Sequence, residues 1–380
     1  MTIGILTYHR ASNNGAFLQA YALCSRLREE GFDCEIIDFN MVKEEKKYNS
    51  RRWDFFKKLM STRRKKRHYK IRFEAFQLAL KDNKDLRSRE YLQSDDIGEF
   101  QKFVYCKYDL IIAGSDEIWR LDGMRGFPSP YWLPGDLGCR KMSYAASSRT
   151  STEILSEEQL NTLKVLLNDF EFISVRDQMT YDEFKPLLKD GTKISINCDP
   201  SFLYDFKINK QQAREFLYQR CQLAKEKKTI LVMTFDEHMK KMVSKQCQEK
   251  YNVICVFEDC KYCKTVYDTT PFEWMKMIAG ADFVISSLFH GICYSILNNV
   301  PFLAGDIAKE NSKILPLIQA GGFENRYLSF SDTIPENLCE YIENLMIPMD
   351  NSEFIRKQQE GFGDFVKRLR RIEEEIGRSK

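Results

Sequence analysis

Short apolar runs alternate with amphipathic stretches along nearly the whole chain. Ile3-Gly4-Ile5-Leu6-Thr7 is followed by a polar loop with Asn13, Asn14 and Gly15, then a helical pattern over 17–30 that stops at Gly31, then a second apolar run over 34–39. Strand, helix and strand in this order read as a βαβ unit. Such units build a parallel sheet whose ligands bind in the loops beyond the carboxyl ends of the strands. The pattern returns at 109–113, 141–146, 172–175 and 194–196, with a helical segment over 156–170. A polar helix over 209–228 then leads into a fresh series at 229–233, 253–257, 282–286 and 301–303. The spacing predicts an α/β protein of two Rossmann-like, doubly wound domains, residues 1–205 and 206–350. The last stretch, 351–380, is charged and amphipathic, and is long enough for a helix of several turns that can pack back on the first domain.

Composition narrows the class. The 380 residues suit two domains, and 43% apolar with 30% charged residues excludes a disordered chain. A net charge of +3, from 58 basic and 55 acidic residues, argues against a dedicated nucleic-acid binder. No run approaches the roughly 18 apolar residues of a membrane span, and MTIGILTYHR lacks the features of a leader, so a cytoplasmic protein is expected. The 12 cysteines are scattered mostly through apolar segments, as expected of reduced, buried thiols. One stretch departs from this balance: residues 43–72 carry 14 basic and 3 acidic residues beside Trp53, Phe55 and Phe56. It reads as an insertion in the first domain, either a solvated helix or a contact with an anionic membrane surface or glycan carrier.

Three loops after strands carry candidate chemistry: Asn13-Asn14-Gly15-Ala16, Gly114-Ser115-Asp116, and the run 286–291 that holds His290 and Gly291. The first opens a helix and offers either an anion site or an ordinary cap; it is not a dinucleotide fingerprint. His290 stands between a strand end and a helix start, where an imidazole can give and take a proton beside an anion, or can serve as a core histidine. Arg176, after the strand ending at Val175, can clamp a carboxylate or phosphate, or can pair with a nearby acid. Asp116 and Asp199 also end strands, and Asp199-Pro200 equally reads as a turn. Cys260-Lys261-Tyr262-Cys263, with Cys255 upstream, has the spacing of a metal knuckle, but no second knuckle follows and no metal is expected.

Taken together, these segments resemble the polysaccharide pyruvyl transferase family. The stretches that carry the resemblance occur in one order over most of the chain: 14–23 (NGAFLQAYAL), 114–119 (GSDEIW), 143–147 (SYAAS), 174–177 (SVRD), Asp199-Pro200 and Phe289-His290-Gly291. The resemblance implies the fold of two-domain, GT-B-like glycosyltransferases, two Rossmann-like halves with the active site in a cleft between them. It also implies transfer of the enolpyruvyl group of phosphoenolpyruvate onto hydroxyls of a hexose in a cell-surface polysaccharide or its lipid-linked precursor, with no cofactor. On that reading His290 is the acid that becomes a base, and Arg176 and the amides after Gly291 neutralise the donor. Asn14, Gly15, Ser115, Asp116, Ser147, Arg149 and Lys313 complete the binding set. Many members carry an arginine where this chain has Leu288; here Ser148-Arg149 replaces a Phe-Gly pair and Ser312-Lys313-Ile314 replaces Ser-Arg-Ile. Arg149 or Lys313 is expected to restore the charge. A nucleotide-sugar glycosyltransferase and a non-catalytic glycan-binding relative are the alternatives, because one fold serves several chemistries.

Overall fold

The computed structural model describes residues 1–46, 63–257, 260–306, 312–330 and 334–379. Residues 47–62 of the basic stretch, Trp53, Phe55 and Phe56 among them, lie outside the described residues. The chain divides into two compact units: Met1–Leu59, Leu80–Tyr204 and Lys357–Lys380 form the first, Met60–Ala79 and Asp205–Arg356 the second. The described end of the basic stretch forms the helix Arg63–Asp82, most of which belongs to the second unit rather than to an insertion of the first. The reason is aromatic contact: His68 stacks on Tyr267 with ring centroids 3.6 Å apart, and the Arg72 guanidinium lies 4.6 Å over the Phe257 ring. No helix among the described residues is long and apolar enough to cross a membrane.

The first unit contains β1 (Thr2–Leu6), β2 (Asp33–Ile36), β3 (Phe39–Asn40), β4 (Leu92–Gln93), β5 (Leu110–Ala113), β6 (Arg140–Ser143), β7 (Phe172–Val175) and β8 (Lys193–Ile196). Six of them form a parallel sheet in the order β2-β1-β5-β6-β7-β8, and β3 pairs with β4 apart from it. Strands β5 and β7 are buried throughout, which is why they appear in the sequence as apolar runs, interrupted in β7 only by Ser174. The expected strand over 34–39 breaks after Ile36 because Asp38 turns into a buried ion cluster, leaving Phe39 and Asn40 to pair with Leu92 and Gln93. A stacked Trp119–Trp132 pair, 5.1 Å between centroids, anchors the core with Phe170 and Phe184 around it. The helix Ser352–Ser379 packs onto this unit from Lys357 on. Phe365 lies edge-on to Tyr144 at 4.8 Å, and Gln359 Nε2 donates to the Phe202 carbonyl at 2.6 Å.

In the second unit β9 (Thr229–Met233), β10 (Asn252–Val256), β11 (Lys264–Val266), β12 (Phe283–Ser286) and β13 (Phe302–Ala304) form a parallel sheet in the order β11-β10-β9-β12-β13. The polar helix expected over 209–228 ends at Cys221, where Gln222 takes a left-handed conformation and closes it.

Asp38 fastens the loop after β1. Its carboxylate receives Arg10 Nη2 at 2.7 Å, Arg87 Nη1 at 2.5 Å and His9 Nε2 at 3.0 Å, with only 5% of the residue exposed. Burial pushes this carboxyl up, but hydrogen bonds from Arg10 and His9 and their charges outweigh burial and hold it well below the ordinary carboxylate range.

Two outcomes follow. Phe365→Ala is expected to cost about 3–5 kcal/mol in urea unfolding, against less than about 0.5 kcal/mol for the exposed Val165→Ala; equal small effects would contradict the docking of the last helix. Because Asp38 titrates lower in the folded chain than in the unfolded one, its stabilisation is complete above about pH 4 and is lost as pH falls below that. The urea midpoint should therefore drop less on acidification in Asp38→Asn than in the wild type, and parallel drops would contradict the cluster's role.

Candidate functional site

In a parallel sheet, a crevice opens at the carboxyl edge where the strand order reverses, because the two flanking loops leave in opposite directions. The first sheet reverses between β1 and β5, the second between β9 and β12. The motif loops lie at these two points.

At the first reversal, Thr7 Oγ1 donates to the Ser115 carbonyl at 2.8 Å, joining the loops after β1 and β5. A Cβ on Gly114 would stand 2.8 Å from Thr7 Cβ, so only glycine permits this approach. Asn13 caps the helix Asn14–Glu29, its Oδ1 accepting from Gly15 N at 3.1 Å and Ala16 N at 3.3 Å. Of the two readings of this loop, an anion site or an ordinary cap, the cap is the one these amides serve. Asn14 is 3% exposed, and its Nδ2 has no hydrogen-bond partner among the described residues.

Asp116, Ser147, Arg149 and Arg176 gather at the ends of β5, β6 and β7. Arg176 Nη1 pairs with Asp199 Oδ2 at 2.9 Å, and Ser115 Oγ donates to the same oxygen at 3.4 Å. Burial lowers the Arg176 guanidinium, but Asp199, Asp116 and Glu117 outweigh it and hold it above its ordinary value. Arg149 Nε lies 3.6 Å from Glu117 Oε1; burial prevails over Glu117 and Asp177 there and holds that guanidinium below its ordinary value. Ser147 Oγ donates to Asp177 Oδ2 at 2.6 Å, while Asp177 Oδ1 caps the next helix through Thr180 N. With Arg120 held by Glu117 and Asp122, three guanidiniums stand among five carboxylates, Asp116, Glu117, Asp122, Asp177 and Asp199. Of the two sequence readings of Arg176, an anion clamp or a pair with a nearby acid, the pair is present, with Asp199 as the acid. Asp116, Ala145 and Arg149 hold left-handed φ values of +78°, +52° and +53°, a strained conformation for non-glycine residues that concentrates at functional sites.

At the second reversal, Ser287 Oγ donates to Thr234 Oγ1 at 3.0 Å, joining the loops after β12 and β9. Leu288 precedes the helix Phe289–Leu297, and its backbone N–H and C=O both bond Ser286 Oγ, at 3.0 and 3.2 Å. His290 occupies the first turn, 9% exposed, with no acidic residue in that turn. A Cβ on Gly291 would meet Ser286 Oγ at 2.5 Å, so this glycine serves close packing of helix on strand. Ser312 accepts from Ile314 N at 3.2 Å and Leu315 N at 2.9 Å and donates to Asp306, which fastens exposed Lys313 beyond the end of neighbouring β13. Arg149 belongs to the first unit, so of the two candidate replacement charges Lys313 alone shares a unit with Leu288.

Glu117 and Thr234 escaped the sequence reading, although each stands within a few residues of a strand end and the rule that selected Asp116 and His290 applies to both. Two cavities lie away from these loops. One of about 620 Å³ is lined by Arg67, His68, Arg220, Lys264, Tyr267 and Asp268. The other, about 460 Å³, includes Thr2, Asp109 and Arg140 at the amino ends of β1, β5 and β6, opposite the edge where such sheets bind ligands.

Comparison with known proteins bears on both fold and family. Similar solved structures include UDP-GlcNAc 2-epimerase from Methanocaldococcus jannaschii, 10% identical over 91% of this chain and 93% of that one, with a TM-score of 0.53. Another is Anabaena HepE in complex with UDP and glucose, 11% identical over 97% of this chain and 99% of that one, with a TM-score of 0.53. The spinosyn forosaminyltransferase SpnP is 11% identical over 98% and 99%, with a TM-score of 0.51. At such identities the likeness establishes the fold alone, the GT-B-like class of paired Rossmann-like domains. No curated protein matches the sequence. The profile of the polysaccharide pyruvyl transferase family matches residues 13–304, from the cap of the first motif helix to the end of β13. A match of that extent, taking in both strand reversals and the loops that carry Asp116, Arg176 and His290, means that the chain belongs to the polysaccharide pyruvyl transferase family and is a transferase.

Proposed function

We propose that the protein transfers the enolpyruvyl group of phosphoenolpyruvate onto two hydroxyls of a hexose in a surface glycan or its lipid-linked precursor. Family membership supports the reaction class. The observation that carries the residue roles is the placement of His290 in an acid-free first helical turn at the second strand reversal, while Asp116, Glu117 and Asp199 surround Arg176 at the first.

A proton added to the enol carbon creates an oxocarbenium-like centre. Two sugar oxygens attack it in turn, each losing its proton, and phosphate departs as the ketal closes. His290 supplies the first proton and then accepts one, the two-way role that suits an imidazole. The helix start at Phe289–Leu297 favours the donor's anionic groups, and Lys313 supplies a point charge in place of the arginine that Leu288 replaces. In the first unit, Asp116 and Glu117 accept hydrogen bonds from hydroxyls of the acceptor. Around them Arg176 and Ser115 hold Asp199, Ser147 holds Asp177, Arg149 lies beside Glu117, and Asn14 offers a donor beside Gly15. No cofactor is required by these steps.

The test is phosphate release from phosphoenolpyruvate in the presence of a panel of hexosides, with the acid-labile ketal identified by mass. His290→Ala should lower kcat by about 10²–10⁴-fold while the urea unfolding curve stays that of the wild type. Wild-type turnover in that variant, or transfer from a UDP-sugar in place of phosphoenolpyruvate, would contradict the reading.

A further inference from the structure

Outside the motif loops, the fold assembles three thiols. Cys255 lies in β10, while Cys260 and Cys263 lie in the link to β11, and their Sγ atoms all fall within 4.8 Å of one another. The Cys255 and Cys263 sulfurs are 3.3 Å apart. Zinc with tetrahedral Zn–S bonds of about 2.3 Å needs sulfurs about 3.8 Å apart, and this trio brackets that spacing. The link explains why thiols are there. Strands β10 and β11 pair in parallel, yet only seven residues, 257–263, separate them. Parallel neighbours ordinarily need a crossover of a dozen residues or more, with a helix to bury the edge. Among the described residues of the link no helix covers the edge strand, and the sulfurs occupy the position from which a crosslink holds it.

We infer that Cys255, Cys260 and Cys263 form a thiolate site for Zn²⁺ that pins the edge strand β11 to the second sheet. The two-residue spacing of Cys260 and Cys263 supplies a knuckle, and Cys255 on the strand supplies the third ligand. On binding, three S–H protons pass to solvent and three Zn–S bonds form, with water completing the fourth position. The supporting shell is in place: Ser244 Oγ lies 3.9 Å from Cys260 Sγ, and Cys260 N donates to Thr265 Oγ1 at 3.3 Å. Cys263 is only partly buried and gives the ion a way in. The strand so pinned carries Lys264 and Thr265 and leads into Tyr267, all lining the cavity of about 620 Å³.

The experiment uses the full chain, purified under reductant and loaded with Zn²⁺ or Co²⁺ before gel filtration. About one metal ion per chain should be retained, and the Co²⁺ form should show thiolate-to-cobalt charge transfer. Cys260→Ser should lose both, while Cys106→Ser, an exposed thiol elsewhere, keeps both. The cobalt spectrum of the unaltered chain decides the matter even where the serine variant does not fold. No retained metal and no charge transfer in the unaltered chain would overturn the inference. So would full loading of folded Cys260→Ser, or a disulfide within the trio that leaves the reduced-purified chain unable to take metal.

Discussion

The rest of this structure depends on a topological constraint, the reversal of strand order within each parallel sheet. Between β1 and β5, and again between β9 and β12, adjacent strands send their following loops apart, and the backbone there has no neighbouring crossover to pack against. Both reversals are bridged by a hydroxyl hydrogen bond: Thr7 donates to the Ser115 carbonyl, and Ser287 donates to the Thr234 hydroxyl. These contacts add to the backbone hydrogen bonds Gly114 N to Leu6 O and Ser287 N to Met233 O in tying the motif loops to their sheets.

The first reversal is dense in charge. Asp199, 3% exposed, ties the chain after β8 to Ser115 and Arg176, and a buried carboxylate persists only when such partners compensate the loss of water. Around it the carboxylates exceed the guanidiniums, which suits a polyhydroxyl ligand better than a polyanion. The turn that holds His290 has no acid and ends in a helix dipole, the environment an anion prefers. The left-handed backbones of Asp116, Ala145 and Arg149 are maintained by this web of loop contacts, since the residues themselves do not favour them.

Much of this was legible in the sequence because strands of a buried parallel sheet are apolar on both faces: the runs at 172–175 and 229–233 coincide with β7 and β9. The long final helix was legible from its amphipathic pattern. Strands β4 and β11 were not, being two and three residues long with no periodicity to read. The break at Asp38 was hidden because its partners lie 28, 29 and 49 residues away. Candidate residues at strand ends were found by position, but their partners were not: nothing local in Ser174-Val175-Arg176-Asp177 announces that Arg176 meets Asp199.

The central claim is that donor recognition lies with the loops around His290 and Lys313, and that Arg176 serves the acidic rim. Calorimetric titration with phosphoenolpyruvate, with UDP as the contrasting ligand, tests it most directly. The account predicts that phosphoenolpyruvate binds and UDP does not. Lys313→Met should weaken the donor by roughly tenfold or more, the loss expected for one charge-assisted contact, whereas Arg176→Lys should leave donor affinity near that of the wild type. Donor affinity that falls with Arg176 and ignores Lys313, or UDP binding in place of phosphoenolpyruvate, would contradict it.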